Sequence, residues 1–329
     1  MTSIRDISAA TNLSVATISR ALRDDPKVSQ ATREYVLLTA KKMGYAVNPY
    51  VGQMMSSLRR GQGSTFRGNM AIVWKNSSPS LRNDARLQQS MSGARARAEE
   101  LGYLLDEFDI SSHKPEKALE RIIYNRGIQG IMFYMPAFGG AKVRLRMKLD
   151  KFACVSLGWG LWLPHLDSVK ADYFQMIRLA LHHACHEFKD KIAAIWDMQT
   201  DRAAHNAGSA SFVIHHPAGP AIASELFFSR HHLTERAFAK AARKHGIRCL
   251  LLSSSFDPPG WLSQYVPEKN WLWFCNPGAV PHFGRVDVQN DLVGRWGVDL
   301  LAAKIQMSVF GVPSQCRSVL VPPRWVRGS

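Results

Sequence analysis

The sequence predicts two parts, a small all-α head and a larger α/β body made of two Rossmann-like lobes. The chain has 329 residues, the length of two or three ordinary domains. Its first 67 residues contain ten Lys and Arg against four Asp and Glu, with apolar residues at helical spacing. From residue 68 onward, apolar segments of strand length alternate with segments of helical periodicity, which is typical of parallel sheets covered by helices.

Three short helices are predicted in the head, with Ser3, Ser14 and Ser29 as their N-terminal capping residues. The apolar positions expected to face inward are Ile4, Ile7 and Ala10 in the first helix, Ile18, Ala21 and Leu22 in the second, and Val36, Ala40 and Met43 in the third. Two short helices joined by a tight turn and closed by a third are typical of a helix-turn-helix unit, although this spacing also fits other three-helix bundles.

The body alternates strand and helix along its whole length. Strands are predicted at 70–74, 103–105, 128–134, 152–157, 191–196, 222–228, 248–253 and 271–275. Helices are predicted at 87–101, 118–123, 172–187, 234–245 and 291–310. This alternation is long enough for two Rossmann-like lobes, so a ligand is expected in a cleft at the carboxyl ends of the strands.

The net charge of +16 favours a polyanionic partner such as nucleic acid or an anionic membrane, although a globular protein can also be basic without one. The first residues lack the apolar stretch of a signal peptide, and no run approaches the length of a membrane span. The five cysteines are scattered without a CxxC pair. We therefore expect a cytoplasmic protein without a membrane partner, a disulfide framework, a bound metal or a cofactor.

Catalytic and metal-binding motifs give a weak signal. His182 and His186 have the i, i+4 spacing that zinc sites use, but no glutamate stands between them in HExxH form and no third ligand is indicated. We therefore predict a partly exposed helix face there. Motifs of the GxSxG, GxGxxG and GxxxxGK[ST] types do not occur, and the chain is predicted not to be an enzyme.

The residues of the head carry a longer and more specific signature. It comprises IRDISAATNLSVATISRAL at 4–22, VSQATR at 28–33 and MGYAVNP at 43–49. These runs are similar to the head of the lactose-repressor (LacI/GalR) family, with mild departures at Ser8, Thr11, Leu13 and Ile18. The resemblance implies a DNA-binding transcriptional regulator, most often a repressor, with a helix-turn-helix head at 1–47, a hinge helix and linker at 48–67 and an effector-binding, dimerising body at 68–329.

The second helix of such a head enters the major groove by its N-terminal end, which makes Val15, Ala16 and Arg20 the candidate base-contacting residues. Arg20 can present a bidentate fork to guanine, whereas Val15 and Ala16 can only make apolar contact, for example with a thymine methyl group. The family usually has a larger polar residue at position 15 or 16, so the operator bases stay unassigned. The phosphate contacts that the resemblance implies are Ser3, Asn12, Ser14, Thr17, Ser19, Lys27, Ser29 and Thr32.

A short helix is predicted to begin at Asn48 as its N-cap and Pro49 as its first residue. A helix of two or three turns is marginal in water by itself. The resemblance implies that two such hinge helices pair in the minor groove, with Met54 as the apolar wedge. The hinge residues assigned to the groove are Tyr50, Val51, Met54 and Met55. Alternatively, Met54, Met55 and Leu58 form a dimer seam or pack against the body.

For the body, the resemblance implies the periplasmic-binding-protein architecture. The first lobe would comprise about 69–162 and 288–314, and the second about 163–287 and 315–329. Effector contacts are predicted from polar and aromatic residues near strand ends: Trp74, Asn76, Tyr134, Trp159, Arg202, His205, Asp257 and Asn276. The effector-binding Arg of the family is not evident in the run at 201–208, where Arg202 or His205 is the candidate substitute, so a sugar effector is only weakly indicated.

Three classes of function fit some part of the sequence. A regulator explains the head, the hinge, the basic charge and the body together, and it predicts a homodimer on a pseudo-palindromic operator with a small polar effector between the lobes. A solute-binding transport protein explains only the body. An enzyme on the same fold requires a catalytic constellation, which the sequence does not show.

Overall fold

The computed structural model describes residues 4–22, 25, 27–43, 66–74, 84–112, 116–134, 142–253, 256–274 and 284–328. The chain divides into two compact units, Met1–Gly61 and Gln62–Ser329. Several residues singled out by the sequence lie outside the described residues: Ser3, Tyr50, Val51, Met54, Met55, Asn76 and Asn276. Among the residues that are described, no helix is long and apolar enough to cross a membrane.

The first unit contains the three predicted helices, α1 (Ile4–Thr11), α2 (Val15–Ala21) and α3 (Gln30–Lys42). They enclose a small core of Ile7, Ile18, Ala21, Val28, Val36 and Ala40. The prediction for Ala10 was wrong, because its side chain is exposed and Thr11 takes the inner position. The Thr11 hydroxyl is satisfied there by donating to the Ile7 carbonyl at 2.7 Å.

The second unit is built on two six-stranded sheets. The strands are β1 (Gly68–Trp74), β2 (Tyr103–Asp109), β3 (Ile128–Tyr134), β4 (Lys142–Arg144), β5 (Ala153–Leu157), β6 (Leu161–Leu163), β7 (Asp167–Ala171), β8 (Ile192–Trp196), β9 (Phe227–Ser229), β10 (Cys249–Ser253), β11 (Trp271–Phe274), β12 (Gly284–Asp287), β13 (Ser318–Val321) and β14 (Arg324–Arg327). The helices are α4 (Ala85–Glu100), α5 (Glu116–Asn125), α6 (Tyr173–Phe188), α7 (Met198–Ala203), α8 (Ala207–His215), α9 (Pro220–Glu225), α10 (Glu235–His245), α11 (Leu262–Tyr265) and α12 (Asn290–Gln306).

The strand order is β13-β7-β5-β3-β1-β2 in the first sheet and β14-β12-β11-β10-β8-β9 in the second. Every pairing within these sheets is parallel except that of β12 with β14. In each sheet, the carboxyl ends of the parallel strands therefore lie along the same edge, which is where the sequence predicts the ligand cleft.

The predicted lobe boundaries require correction. Strands β7 and β13 belong to the first sheet, although the sequence assigned 163–171 and 315–321 to the second lobe. The chain passes between the sheets only after these strands, at 171–173, 287–290 and 321–324. The three crossovers are bonded to one another, since the Asp172 N–H donates to the Val321 carbonyl at 2.9 Å and the Gln289 side chain donates to the Pro322 carbonyl at 2.7 Å.

Two element assignments also differ from the sequence analysis. The segment 222–228 is not one strand, because Pro220 begins helix α9 and only Phe227–Ser229 is extended. Short apolar runs fit strand and helix equally well by periodicity, and proline at the first helical turn decides for the helix. Helix α12 ends at Gln306 rather than at residue 310.

Helices α4 and α12 pack closely on one face of the first sheet. A Cβ atom on Gly93 would collide with the carbonyl oxygen of Asp291, and one on Gly294 would collide with that of Ser90. Helix α5 covers the opposite face, where Leu119 and Ile123 are fully buried. The second sheet has its own core beneath α6 and α8.

Candidate nucleic-acid interface and interlobe cleft

Helix α2 begins at a capped and exposed N-terminus. Ser14 has extended backbone geometry, and its hydroxyl accepts a hydrogen bond from the Thr17 N–H at 3.1 Å. The Ser14 and Thr17 hydroxyls are also bonded to each other at 2.8 Å. Asn12 makes the preceding turn with a φ of 55°, a left-handed conformation that asparagine tolerates. The predicted cap is therefore confirmed, and it fixes where the helix starts.

The residues predicted to read bases lie on the outer surface of α2. Val15 is 46% exposed, and Ala16 and Arg20 are exposed as well, while Ile18 and Ala21 on the opposite side are buried in the core. The large apolar Val15 is thus kept in solvent at the helix start. This surface can offer one bidentate donor and two apolar contacts to a groove.

Helix α3 repeats the arrangement found at α2. Ser29 caps it by accepting from the Thr32 N–H at 3.3 Å, and the two hydroxyls lie 2.8 Å apart. Lys27 precedes this cap and is exposed, whereas Ser19 on α2 is half-buried. Two helix starts in the head therefore carry paired hydroxyl groups, which are the kind of group that binds phosphate oxygens.

In the body, Tyr134 and Trp159 line one cavity at the carboxyl ends of β3, β5 and β7. The cavity is completed by Arg86, Ser90, Gly158, Ala171, Tyr173, Asn290 and Val293. Its free volume is about 30 Å³, room for roughly one water molecule. Ligand pockets for drug-sized molecules measure about 300–1,000 Å³, so a sugar would enter only if the lobes moved apart.

Trp159 is held firmly at this cavity. Its indole N–H donates to the Ala171 carbonyl at 2.8 Å, and the Lys170 ammonium lies 4.7 Å from its ring centre. Burial lowers the pKa of Lys170. The rings of Tyr173 and His205 lie 5.8 and 6.0 Å from that of Trp159. Tyr173 continues the aromatic row to Trp196 at the end of β8.

His205 is the one sequence-predicted substitute for the effector arginine that reaches this row. It and Asn206 both have left-handed backbone, with φ of 56° and 60°. The buried Asp201 carboxylate holds this turn by accepting from the N–H groups of Gly208 at 2.9 Å and Ser209 at 3.2 Å. Asp201 therefore positions the turn that carries His205.

Sequence reasoning missed several groups around the cleft. Asp84 caps α4 and pairs with Arg86 at 2.8 Å, so Arg86 is fixed at the cavity. Burial alone would raise the pKa of Asp84, but the Arg86 guanidinium and two backbone N–H groups hold it below its ordinary value. At the end of β8, the buried Asp197 pairs with Arg230 at 2.7 Å. The only sequence signal of the two aspartates is their position, since Asp84 lies directly before a helix and Asp197 directly after a strand.

The remaining effector candidates are not brought to Trp159. Trp74 lines a different cavity, with Arg95, Glu107 and Asp109. Arg202 and Asp257 are exposed, on α7 and in the segment after β10. These three predictions found no support from the cavity at Trp159.

The histidines of α6 form a surface cluster. His182 and His186 are exposed, with ring centres 5.1 Å apart, and His183 stacks on Trp325 at 4.0 Å. Within the part of the chain that the structure describes, no group of three or more His, Cys, Asp or Glu side chains is arranged to hold a metal ion.

Both regions are similar to known proteins. Residues 3–48 match the family described as bacterial regulatory proteins, lacI family. The HTH-type transcriptional regulator GalR of Lacticaseibacillus casei is 27% identical over 332 residues, and the match covers 93% of each chain. The head of the chain is therefore a lacI-family regulatory head, and the chain as a whole is similar to a LacI/GalR-family regulator. Members of this family are DNA-binding transcriptional regulators, and the resemblance seen in the sequence is confirmed.

Two solved structures share the fold of this chain. The transcriptional regulator CelR in complex with cellobiose is 15% identical with a TM-score of 0.50, and the match covers 100% of both chains. The lac repressor bound to ONPG in its repressed state is 15% identical with a TM-score of 0.52, over 99% of this chain and 98% of the other. The helical head and the periplasmic-binding-protein-like α/β body are thereby confirmed.

Proposed function

We propose that this protein represses transcription in the cytoplasm by binding a pseudo-palindromic operator as a homodimer, and that a small polar ligand between its lobes controls the binding. The observation that carries the proposal is the head, where α2 exposes Val15, Ala16 and Arg20 beside paired hydroxyl groups at two helix starts. The family match of residues 3–48 covers the same surface.

In this proposal, α2 enters the major groove and Arg20 donates to guanine. Asn12, Ser14, Thr17, Ser19, Lys27, Ser29 and Thr32 contact phosphates and set the register, with Ser3 as a further contact. Tyr50, Val51, Met54 and Met55 contact the minor groove. We assign no enzymatic step to the chain.

The DNA-binding part is tested by selecting binding sites from random duplex DNA with the full-length protein. The expected product is a two-fold symmetric sequence that Arg20→Ala binds with relaxed preference at one position in each half-site. Selection of an asymmetric site, or no enrichment at all, would refute the operator proposal.

The effector is proposed to be a small polyhydroxylated molecule such as a sugar, which fits aromatic rings beside Arg86, Ser90 and Asn290. CelR is described in complex with cellobiose, and sugars are therefore the first compounds to test. Since the cavity at Trp159 holds only about one water molecule, binding must select a more open arrangement of the lobes.

A thermal-shift and operator-release screen over sugars, nucleobases and amino acids tests this part. A true effector should shift both readouts, and Trp159→Leu should abolish the response while leaving operator affinity intact. Arg202→Gln serves as a control, because Arg202 is exposed and does not line the cavity. If Trp159→Leu responds like the parent, the effector does not bind at this cavity.

A further inference from the structure

A second and larger cavity lies along α6. It has a volume of about 790 Å³, within the range of small-molecule sites. The residues that line it are Gln175, Arg178, Leu179, Leu181, His182, Cys185, His186, His215, Pro322 and Pro323. It shares no lining residue with the cavity at Trp159. We call it the crossover cavity, because Pro322 and Pro323 join the two sheets.

The walls of the crossover cavity are already in place. One wall is the face of α6 that carries Arg178, His182 and Cys185 at helical spacing. His215 at the end of α8 also lines the cavity, and its ring packs edge-on against Phe174 of α6 at 5.2 Å. The His215 Nδ1 atom lies 2.9 Å from the Ser211 carbonyl, which fixes the ring. Pro322 and Pro323 also line the cavity, and their backbone is restricted because the proline ring fixes φ.

The chemistry of the lining is amphipathic and positive. Leu179, Leu181 and the prolines supply apolar surface, and Arg178 supplies a permanent charge. The Arg178 Nε–H donates to the Gln175 side chain at 2.7 Å, which directs the guanidinium along α6. Among the described residues that line the cavity there is no carboxylate. A small organic acid with an apolar body satisfies both kinds of surface, because a carboxylate can accept two hydrogen bonds from arginine.

The geometry points to the crossover cavity as a second ligand site, which takes an aryl or alkyl carboxylate and acts on the crossovers between the two lobes. The crossovers at 171–173, 287–290 and 321–324 are bonded to one another through Asp172, Gln289, Val321 and Pro322. The cavity touches one of the three directly, at Pro322 and Pro323, and it reaches a second through Gln175, whose backbone N–H donates to the Asp172 carboxylate at 2.9 Å. A ligand there contacts the segments that must move when the lobes change their arrangement.

The site is tested by calorimetric titration of the full-length protein with 2-naphthoate, and no DNA is required. Arg178→Gln should weaken binding at least about tenfold, because it removes a charge-assisted hydrogen bond at an exposed position that the fold does not need. Arg236→Gln, at an exposed position of α10 in the same lobe, is the matched control and should stay within about twofold of the parent. The neutral analogue 2-naphthalenemethanol should not distinguish the Arg178→Gln variant from the parent.

Hydrogen exchange with 2-naphthoate then locates the bound molecule. Amides at 175–186 and 318–326 should exchange more slowly, while those at 84–93 stay unchanged. Protection around Trp159 and α4 instead, or equal affinity of parent and Arg178→Gln, would overturn the proposal. Failure of operator selection would leave these titrations unaffected, so the two proposals fail separately.

Discussion

At the scale of single residues, Arg20 is the side chain on which base recognition by this head depends most. It is exposed on the outer face of α2, whose inner face is locked into the core by Ile18 and Ala21. Val15 and Ala16 offer no hydrogen bonds to a base edge. The chemistry available on this surface therefore makes guanine recognition depend on one guanidinium.

We predict that Arg20→Ala relaxes base preference at one position in each half-site, at a cost of about 1–3 kcal/mol. Affinities for operators changed at single positions measure this effect. Lys41→Ala removes an equal charge from the exposed end of α3 and should leave the preference unchanged. An equal loss of affinity for every operator variant would show that Arg20 contacts phosphate instead.

A buried ion pair holds α12 to the first sheet. The Lys304 ammonium lies 2.7 Å from the Asp167 carboxylate, and each side chain is 1% exposed. The same carboxylate accepts from the Arg317 N–H at 2.8 Å. Burial alone would raise the pKa of Asp167, but the Lys304 ammonium and the Arg317 N–H hold it below its ordinary value.

We predict that Asp167→Asn lowers the free energy of unfolding by about 3–5 kcal/mol, because it leaves the Lys304 charge buried without a counter-charge. Urea unfolding measures this loss, and the double variant with Lys304→Met should recover part of it. The pair should stabilise fully above about pH 4 and lose its effect as pH falls through the lowered pKa of Asp167. If Asp167→Asn and the parent lose stability equally on acidification, the ion pair does not cause the pH dependence of stability.

At the scale of elements, the close contact between α4 and α12 depends on two glycines, which have no side chain. Gly93 and Gly294 bring the two helix backbones so close that a methyl group on either would collide with the carbonyl oxygen of Asp291 or Ser90. Alanine would otherwise favour a helix by about 1 kcal/mol over glycine. For a glycine-to-alanine substitution at either position, packing therefore predicts a loss of stability, whereas helix propensity predicts a gain.

We predict that Gly294→Ala and Gly93→Ala each destabilise the body by about 3 kcal/mol, because neither backbone carbonyl can move without separating the helices. Thermal unfolding measures the change. Gly260→Ala is the control, since a Cβ there meets nothing within 4 Å. Stabilisation by Gly294→Ala would show that propensity outweighs this contact.

The hinge segment supplies a further prediction at this scale, from the sequence alone. If Met54 wedges into the central base step, Met54→Ala should lower specific affinity and DNA bending, while nonspecific binding by phosphate contacts barely changes. Bending assays on one operator compare it with Met55→Ala. Full bending by Met54→Ala would move the wedge to Met55 or Leu58.

The elements that the sequence predicted well are those with local signals. Ser14 and Ser29 start helices because their hydroxyls cap N–H groups three residues onward, a relation visible in the sequence. The cavity at Trp159 could not be predicted in this way. It joins Arg86, Tyr173 and Asn290 from three helices, which only the order of the strands brings together. His205 was found through the family pattern, whereas its left-handed turn depends on the buried Asp201.

At the scale of the whole molecule, charge is distributed unevenly along the chain. The first 67 residues carry a net charge of +6, and the remaining 262 carry +10, so charge density in the head is more than twice that of the body. A polyanion is therefore attracted first to the part of the chain with the exposed surface of α2. The body contributes two sheets joined by three bonded crossovers, which suits it to two arrangements of its lobes.

We predict that operator affinity falls at least about 10³-fold between 50 and 200 mM salt, because neutralising some six or more phosphates releases their counterions. Titrations of one operator at increasing salt give the slope, and sedimentation of the complex gives its stoichiometry. Two chains per operator are expected, since one reading head per chain requires a two-fold partner to cover both half-sites. A DNA with one half-site is the control and should bind with roughly half the salt slope, because only one head then contacts phosphates. A single chain bound to the full operator at full affinity, or an affinity that does not change with salt, would contradict the proposed mode of binding.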